Sequence, residues 1–283
     1  MIDFPIIDSH IHLLDHQRLG YSWASGVLLR NWTADDLAKA AKPYTVEGFV
    51  FVEVDVDLPL NLDEAEWVNG LARSDKRILG CVASLPLERG PAIEPDLAGL
   101  ARLPTLRGIR RLIQNQPDPE FVLKSDFLAA LKLLPKYNLS FDICLFHPQL
   151  HNAIEMVRRC PEVQFVLDHI AKPGIKAGLL DPWRQHIREM AALPNVVCKL
   201  SGLTTEADRQ SWTRDQLRPY IDHVIGSFGV DRVMFGGDWP VSELAGRYAQ
   251  WIECLDWATS HCTPGEKRKI FRDNAIKTYR LSV

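Results

Sequence analysis

Eight short apolar segments, separated by longer amphipathic stretches, limit the folds open to this chain. Most of them are rich in Val, Ile, Phe and Leu, as expected for parallel strands that are buried on both faces. The segments are Ile6–His12, Gly48–Val54, Ile78–Ser84, Leu106–Arg110, Ser140–Phe146, Gln164–Asp168, Val196–Leu200 and Arg232–Gly236.

The stretches between these segments carry helix-start signals. Thr33 with Asp36 and Asn61 with Glu64 have the spacing of a capping box, and Pro264 suits the first turn of a helix. A strand followed by a helix, repeated eight times, predicts a parallel sheet, and right-handed crossovers favour its closure into a (β/α)8 barrel, a TIM barrel. An open doubly wound sheet is the alternative, but no Gly-x-Gly-x-x-Gly follows an early segment.

Length, charge and cysteine content limit the binding partners and the cellular compartment that we expect for this chain. The length of 283 residues suits one such barrel, so residues 1–283 are expected to form a single domain. A net charge of −3 gives no reason to expect a nucleic acid or an anionic membrane as partner, and the apolar segments are too short to span a bilayer. The N-terminus lacks a secretory signal pattern, and the six cysteines form no Cys-x-x-Cys pair. Both features favour a cytoplasmic protein with reduced thiols.

His10 and His12 lie two residues apart in the first segment. Side chains alternate along a strand, so both imidazoles are expected on one face, with Asp8 below them on the same face. Two imidazoles at the carboxyl end of a barrel strand suit a divalent metal, whereas a hydrogen-bonded pair in the core is the alternative. Asp8 is expected to be a supporting carboxylate, because it lies one pleat deeper.

The eighth segment ends in two glycines and an acid, Gly236-Gly237-Asp238. The glycines are expected to let the backbone turn sharply. Asp238 would then project at the carboxyl end of the barrel, where the catalytic groups of this fold lie. An Asp-capped turn is the alternative, but His-x-His on the first strand favours a catalytic Asp238.

Three motifs together resemble the amidohydrolase superfamily, and in particular its lactonase branch of TIM-barrel hydrolases. They are Asp8-Ser9-His10-Ile11-His12, Asp168-His169 and Gly236-Gly237-Asp238-Trp239-Pro240. The similarity extends to Asn274-Ala275-x-x-x-Tyr279 and so covers nearly the whole chain. The resemblance implies a barrel that hydrolyses lactones, with sugar-acid lactonases, such as those for fuconolactone or rhamnonolactone, nearer than pyrone dicarboxylate lactonases.

The resemblance also implies site residues after the fifth, sixth and eighth segments. His147 follows the fifth, where related enzymes keep a histidine or a modified lysine, and is expected to be a metal ligand. His169 follows the sixth and is expected to be catalytic together with Asp238, and Trp239 is expected to contact the substrate. Lys199 is not at the fifth-strand position of a carboxylated lysine, so a dinuclear site is not expected.

Charged residues within the apolar segments are further candidates. A carboxylate such as Glu53, in Phe51-Val52-Glu53-Val54, is costly to bury unless it is paired. Glu53 is therefore expected to be a metal ligand or, alternatively, part of a structural ion pair. Lys199 raises the same question and is expected to contact the substrate, and of Arg110 and Arg111 one is expected to reach the site. Further expected substrate contacts are Gln114, Lys172 and Trp32, the last in a loop from Arg18 to Trp32 that would wall the mouth of the barrel.

These residues favour a lactonase in which Asp238 takes a proton from water and later gives one to the leaving alkoxide. One divalent metal, expected to be zinc, would bind His10, His12 and a third ligand, and would polarise the lactone carbonyl. Without a metal, the histidines would polarise the carbonyl directly. A metal-dependent decarboxylase and a non-catalytic sugar-acid binding protein are the alternatives, and the sequence leaves open whether the chain forms a homodimer.

Overall fold

A computed structural model describes residues 2–283 and contains an eight-stranded parallel sheet whose strands are hydrogen-bonded in chain order. The strands are β1 Ile6–Ile11, β2 Val46–Val52, β3 Ile78–Ser84, β4 Leu106–Arg110, β5 Ser140–Ile143, β6 Gln164–Leu167, β7 Val196–Leu200 and β8 Val233–Phe235. A parallel bridge between Ile11 and Trp239 joins β1 to the segment just after β8. The predicted (β/α)8 barrel is therefore confirmed.

Helices connect the strands and surround the barrel. They are α1 Ala34–Ala40, α2 Asn61–Ser74, α3 Glu94–Leu100, α4 Ser125–Leu131, α5 Leu150–Arg159, α6 Trp183–Ala191, α7 Leu203–Glu206, α8 Arg214–Phe228, α9 Tyr248–Ala258, α10 Pro264–Arg268 and α11 Asn274–Tyr279. Thr33 forms the predicted capping box with Asp36. Asn61 does not cap α2, because it is the first helical residue and its Nδ2 donates to the Ser84 carbonyl at 3.1 Å.

Two apolar layers follow from the alternation of side chains along the strands. One side chain in two packs against the helices, and the others fill the barrel interior. The C-terminal helix α11 and the residues after it close the amino-terminal end of the barrel. The interior cluster consists of Ile7, Val50, Val52, Val82, Val166, Met234, Ala275, Tyr279 and Leu281. The closed end leaves the carboxyl ends of the strands as the open face.

The strand bounds follow the predicted segments closely. β2 begins and ends two residues earlier than predicted, and the largest change at a single strand end is in the fifth. β5 ends at Ile143 rather than at Phe146. The next carbonyl, that of Cys144, accepts hydrogen bonds from the amides of Ile113 and Gln114 in the loop after β4, at 2.9 and 3.2 Å. The chain after β5 is therefore held by a loop instead of by a strand. Of the helices in residues 2–283, none has the length and apolarity to cross a membrane.

Candidate active site

The carboxyl end of β1 is tied to the turn after β8. The amide of Asp238 donates to the carbonyl of His10 at 2.9 Å, and the amide of His12 donates to the carbonyl of Trp239 at 2.7 Å. Asp238 adopts a left-handed backbone with φ of 53°, and its side chain is buried. These contacts bring His10, His12 and Asp238 together at the open face of the barrel.

Asp8 does not lie below the two histidines, because the pairing of β1 with β2 is irregular just after it. Its side chain faces the helical layer, where the hydroxyl of Tyr248 in α9 donates to Oδ2 at 2.6 Å. Oδ1 accepts from the amides of His10 and Gly237 at 2.8 and 3.0 Å, and burial raises the pKa of Asp8 to about 7. The expected same-face position is thus corrected, and Asp8 links β1 to the turn that carries Asp238.

The glycines before Asp238 allow close packing rather than a sharp turn. Neither has a positive φ, and the left-handed residue is Asp238 itself. A Cβ atom on Gly237 would lie 2.2 Å from Cε2 of Tyr248 and 2.5 Å from Oδ2 of Asp8. The glycines were expected to allow a sharp turn, and this expectation is corrected. Gly237 instead leaves room for the side chains of Tyr248 and Asp8.

Gly237→Ala is expected to destabilise the protein by about 1–3 kcal/mol, as overpacking does, and to lower activity by moving Asp238. Gly70→Ala is a matched control, because Gly70 lies on the exposed face of α2 and an added Cβ would meet nothing within 4 Å. That substitution is expected to stabilise the helix by up to about 1 kcal/mol. Denaturant melts measure both variants, and equal free energies of unfolding would contradict the packing role of Gly237.

Three histidines surround the carboxylate of Asp238. Its Oδ1 lies 3.7 Å from Nε2 of His10, 3.4 Å from Nε2 of His12 and 3.8 Å from Nε2 of His169. Nδ1 of His12 is 2.7 Å from the carbonyl oxygen of Val52, which only accepts, so a neutral His12 carries its proton on Nδ1. The lone pair of His12 Nε2 then faces Oδ1 of Asp238, so that two acceptor atoms are adjacent. A cation or a proton between these two atoms would bind to both.

Burial and neighbouring groups set the protonation of this cluster. Burial lowers the pKa of His169 to about 4 and lowers the pKa of His10 well below its usual value. Burial opposes the ionisation of Asp238, but the nearby imidazoles, His169 foremost, outweigh it and hold the pKa of Asp238 well below its usual range. Near neutral pH the site therefore contains a carboxylate beside the neutral imidazoles of His10 and His169, and the carboxylate can accept a proton.

The cluster fits one divalent ion. Ligand atoms about 2.1 Å from a tetrahedral zinc are about 3.4 Å from one another, close to the spacings around Asp238. His10, His12 and Asp238 form one group of ligand atoms within 4.8 Å of each other, and His10, Asp168 and His169 form a second. Asp168 already pairs with Lys199 at 2.9 Å. The group that contains Asp238 is therefore the better metal site.

His169 lies on a strained turn after β6. Residues 169–172 are all left-handed, with φ of 53°, 48°, 64° and 44°. This conformation is costly for residues other than glycine, by about 1–3 kcal/mol each, and most of all for the β-branched Ile170. Nε1 of Trp183 donates to the Ile170 carbonyl at 2.7 Å, and Oγ of Ser201 lies 2.9 Å from Nδ1 of His169. The turn directs His169 into the cluster and Lys172 toward the space above it.

Arg110 and Glu53 form a buried ion pair beside the cluster. Arg110 Nε lies 2.5 Å from Glu53 Oε1, and Nη1 lies 3.2 Å from Asp168 Oδ2. A structural ion pair was the alternative role expected for Glu53. Glu53 also belongs to neither group of potential metal ligands. Arg111 points away and binds Glu88 at 2.7 Å. The expected metal ligand Glu53 and the expected substrate contact Arg111 are both corrected, because each has its own partner.

Lys199 is fully buried and pairs with two carboxylates. Its Nζ lies 2.9 Å from Asp168 and 2.7 Å from Asp142, which also accepts from the hydroxyl of Tyr279 at 2.6 Å. Nδ1 of His10 lies between Lys199 Nζ at 3.1 Å and Asp168 Oδ1 at 3.4 Å, so a donor and an acceptor support either tautomer. The expected substrate contact of Lys199 is corrected, because the side chain lies beneath His10 and is closed off from solvent.

A polar cavity of about 400 Å³ opens above the cluster. Several of its residues were not predicted as site residues, among them Asp55, Phe146, Glu206 and Arg209. From the loop expected to wall the mouth, Trp23 rather than Trp32 lines the cavity, and its Nε1 donates to the Val54 carbonyl at 2.9 Å. Glu206 could have been found from its position just after the seventh segment. The predicted site residues that line the cavity are His12, Arg110, Gln114, His169, Lys172 and Asp238.

His147, Trp32 and Trp239 are further predicted site residues that do not line the cavity. His147 begins a short helical turn, His147–Gln149, after β5, and belongs to neither potential ligand group. Its Nδ1 is buried without a hydrogen-bond partner in the described chain. Trp32 packs edge-on against Trp239 with ring centres 5.1 Å apart, and Trp239 is fully buried. The structure thus brings neither the expected ligand His147 nor the expected substrate contacts Trp32 and Trp239 to the cavity.

Known proteins resemble this chain over most of its length. The family model described as Amidohydrolase matches residues 7–281. L-fucono-1,5-lactonase of Burkholderia multivorans is 32% identical over 289 residues, which are 97% of this chain and 96% of that protein. L-fucono-1,5-lactonase of Burkholderia ambifaria is 37% identical over 192 residues, which are 66% of this chain and 65% of that protein.

A solved structure shares the architecture. It is a crystal structure of an amidohydrolase from Burkholderia multivorans with bound zinc, with 30% sequence identity and a TM-score of 0.89. The superposition covers 99% of this chain and 100% of the other. The eight strands and their helices thus have counterparts throughout that protein.

Proposed function

This chain is a hydrolase of the amidohydrolase family, and we propose that it opens the ring of a sugar-acid lactone by adding water to the ester carbonyl. The observation that carries the proposal is the Asp238 carboxylate, which lies among three histidines at the base of a polar cavity. The two similar L-fucono-1,5-lactonases support a cyclic sugar ester as the substrate.

Asp238 acts as the general base. Its low pKa keeps it ionised at physiological pH, so the carboxylate can take a proton from a water molecule in the cavity as that water attacks the carbonyl carbon. Asp238 then gives the proton to the ring oxygen as the ester C–O bond breaks. The products are the open hydroxy acid and a regenerated carboxylate.

The histidines contribute to polarisation of the lactone carbonyl in one of two ways. If an ion is bound, His10, His12 and Asp238 hold it with His169 alongside, and zinc suits such a nitrogen-rich set. The ion supplies Lewis acidity toward the carbonyl and lowers the pKa of water. If no ion is bound, Lys199 donates to Nδ1 of His10, so that His10 presents an Nε2–H donor to the carbonyl oxygen.

The cavity wall supplies groups for a hydroxylated ring. Lys172 Nζ donates to Gln114 Oε1, which orients both side chains, and the two line the cavity together with Arg110. Sugars carry many hydroxyls that must exchange their hydrogen bonds with water for bonds with protein groups. A wall of amide, ammonium and carboxylate groups meets that need.

A pH-indicator screen of aldonolactones, with and without chelator, tests the function. The expected result is acid release from at least one neutral lactone. Release of carbon dioxide from hydroxybenzoates in the absence of ring opening would instead identify a decarboxylase. Lactone binding without turnover would identify a binding protein, and either result would overturn the proposal.

The proposed metal site gives a separate prediction. Protein purified without chelator is expected to carry about one zinc ion per chain, and His12→Ala is expected to lose most of it, because catalytic zinc sites need about three protein ligands. Elemental analysis of both proteins measures this. Full activity in protein that is nearly free of metal, unchanged by added zinc or manganese, would instead assign His10 and His12 to polarisation of the carbonyl.

A further inference from the structure

One carboxylate in the cavity wall has no part in the proposed reaction. Glu206 ends α7, the single helical turn that follows β7, and lines the same cavity as Asp238. It is half-buried, yet no hydrogen bond or ion pair reaches it from residues 2–283. Other partly buried acids are paired, as Glu88 is with Arg111 at 2.7 Å. A partly desolvated carboxylate without a protein donor is suited to accept hydrogen bonds from a ligand.

The charges of the wall decide which ligand can approach. Asp55, Glu206 and Asp238 are its acidic residues, and Arg110, Lys172 and Arg209 are its basic ones. Arg110 lines the cavity but is already neutralised by its ion pairs with Glu53 and Asp168. Asp238 belongs to the histidine cluster and to any ion held there, so Lys172 and Arg209 remain beside Asp55 and Glu206, and the wall has no surplus of positive charge for a substrate carboxylate.

We propose that Glu206 determines specificity by accepting hydrogen bonds from the hydroxyl groups of a neutral lactone and repelling lactones that carry a carboxylate. The inference rests on the proposed lactone hydrolysis and names the substrate class: uncharged polyhydroxy lactones. Burial raises the pKa of Glu206, whereas the charge of Lys172 opposes the rise. Two hydroxyl groups of a bound neutral lactone would replace the hydrogen bonds to water that the Glu206 carboxylate loses. The carboxylate of a charged lactone would instead place a second negative charge next to Glu206 in a partly desolvated space.

The test compares two lactones that differ in one group. Gluconolactone ends in CH2OH, and glucarolactone ends in a carboxylate at the same carbon. The wild-type protein is expected to favour the neutral lactone in kcat/KM. Glu206→Gln is expected to narrow that preference at least about tenfold, mainly through KM, because like-charge repulsion acts on binding. Glu206→Ala is expected to raise KM for the neutral lactone.

Two further measurements keep the outcome decisive. Asp208→Asn removes a charge just beyond the cavity, where Asp208 pairs with Lys176 at 3.4 Å, and is expected to leave the preference unchanged. Binding of both uncleaved lactones to Asp238→Asn, with and without Glu206→Gln, gives the preference by calorimetry even if no turnover is seen.

Wild-type protein that opens no lactone would overturn the proposed function. A preference unchanged within about twofold by Glu206→Gln, in turnover and in binding, would overturn the role of Glu206.

Discussion

Asp238→Asn is expected to remove nearly all lactone hydrolysis while the barrel stays folded. An amide cannot accept the proton of the attacking water, and loss of general-base assistance lowers kcat by about 10²–10⁴-fold. The loss is larger if Asp238 also holds a metal or orients the water. Initial rates with the best lactone of the screen measure the effect.

The fold is expected to tolerate this substitution. Asp238 has φ of 53°, and Asn is among the residues that adopt the left-handed region most readily. The amide-to-carbonyl bond from residue 238 to His10 involves only backbone atoms and is retained. Asp231→Asn, which alters an exposed pair with Lys269, is the control and is expected to keep full activity. An Asp238→Asn protein with normal circular dichroism and more than about a tenth of the wild-type kcat would rule out Asp238 as the base.

The barrel could be predicted because its strands are buried on both faces. Segments such as Gly48–Val54 and Val196–Leu200 are apolar except for one charged residue each, and this signal does not depend on partners elsewhere in the chain. The open end of the barrel follows from chain direction alone. His10, His12 and Asp238 could therefore be assigned to one end of the fold before any contact was known.

Side-chain direction near the strand ends could not be predicted in the same way. The irregular pairing after Asp8 reverses the face on which that residue lies, and no local pattern marks it. The left-handed turn at residues 169–172 contains no glycine, so its conformation is imposed by contacts such as that of Trp183 with Ile170. Strict alternation is thus a good guide within a strand and a poor one at its ends.

The roles of buried charges depend on residues far away in the sequence. Glu53 lies 57 positions from Arg110, and Lys199 lies 57 positions from Asp142. From the sequence, each charge in an apolar segment is equally consistent with a bound ligand and with an internal partner. Only the barrel geometry shows that these groups pair with one another beneath the site.

Lys199→Met is therefore expected to destabilise the protein strongly, by about 3–5 kcal/mol, although methionine has a similar shape. The substitution leaves Asp142 and Asp168 without their shared cation in a region closed to water. Lys269→Met is the matched control, since Lys269 forms a single exposed pair with Asp231 at 2.6 Å. Its expected effect is at most about 1 kcal/mol. Denaturant melts near neutral pH compare the two free energies of unfolding.

The pH dependence of this loss identifies its cause. Burial raises the pKa of Asp142, and the charge of Lys199 acts against that rise in the native protein. Without Lys199, the Asp142 carboxyl should have a folded-state pKa still further above its unfolded one, so at this group the native state binds more protons than the unfolded state. Stability then falls as pH rises through this window, and acidification from about pH 8 to about pH 5 is expected to restore part of the loss. Adding Asp142→Asn to Lys199→Met should also restore part of it, because one uncompensated charge is removed. A deficit that neither acid nor the second substitution reduces would mean that Lys199 contributes through packing rather than through charge.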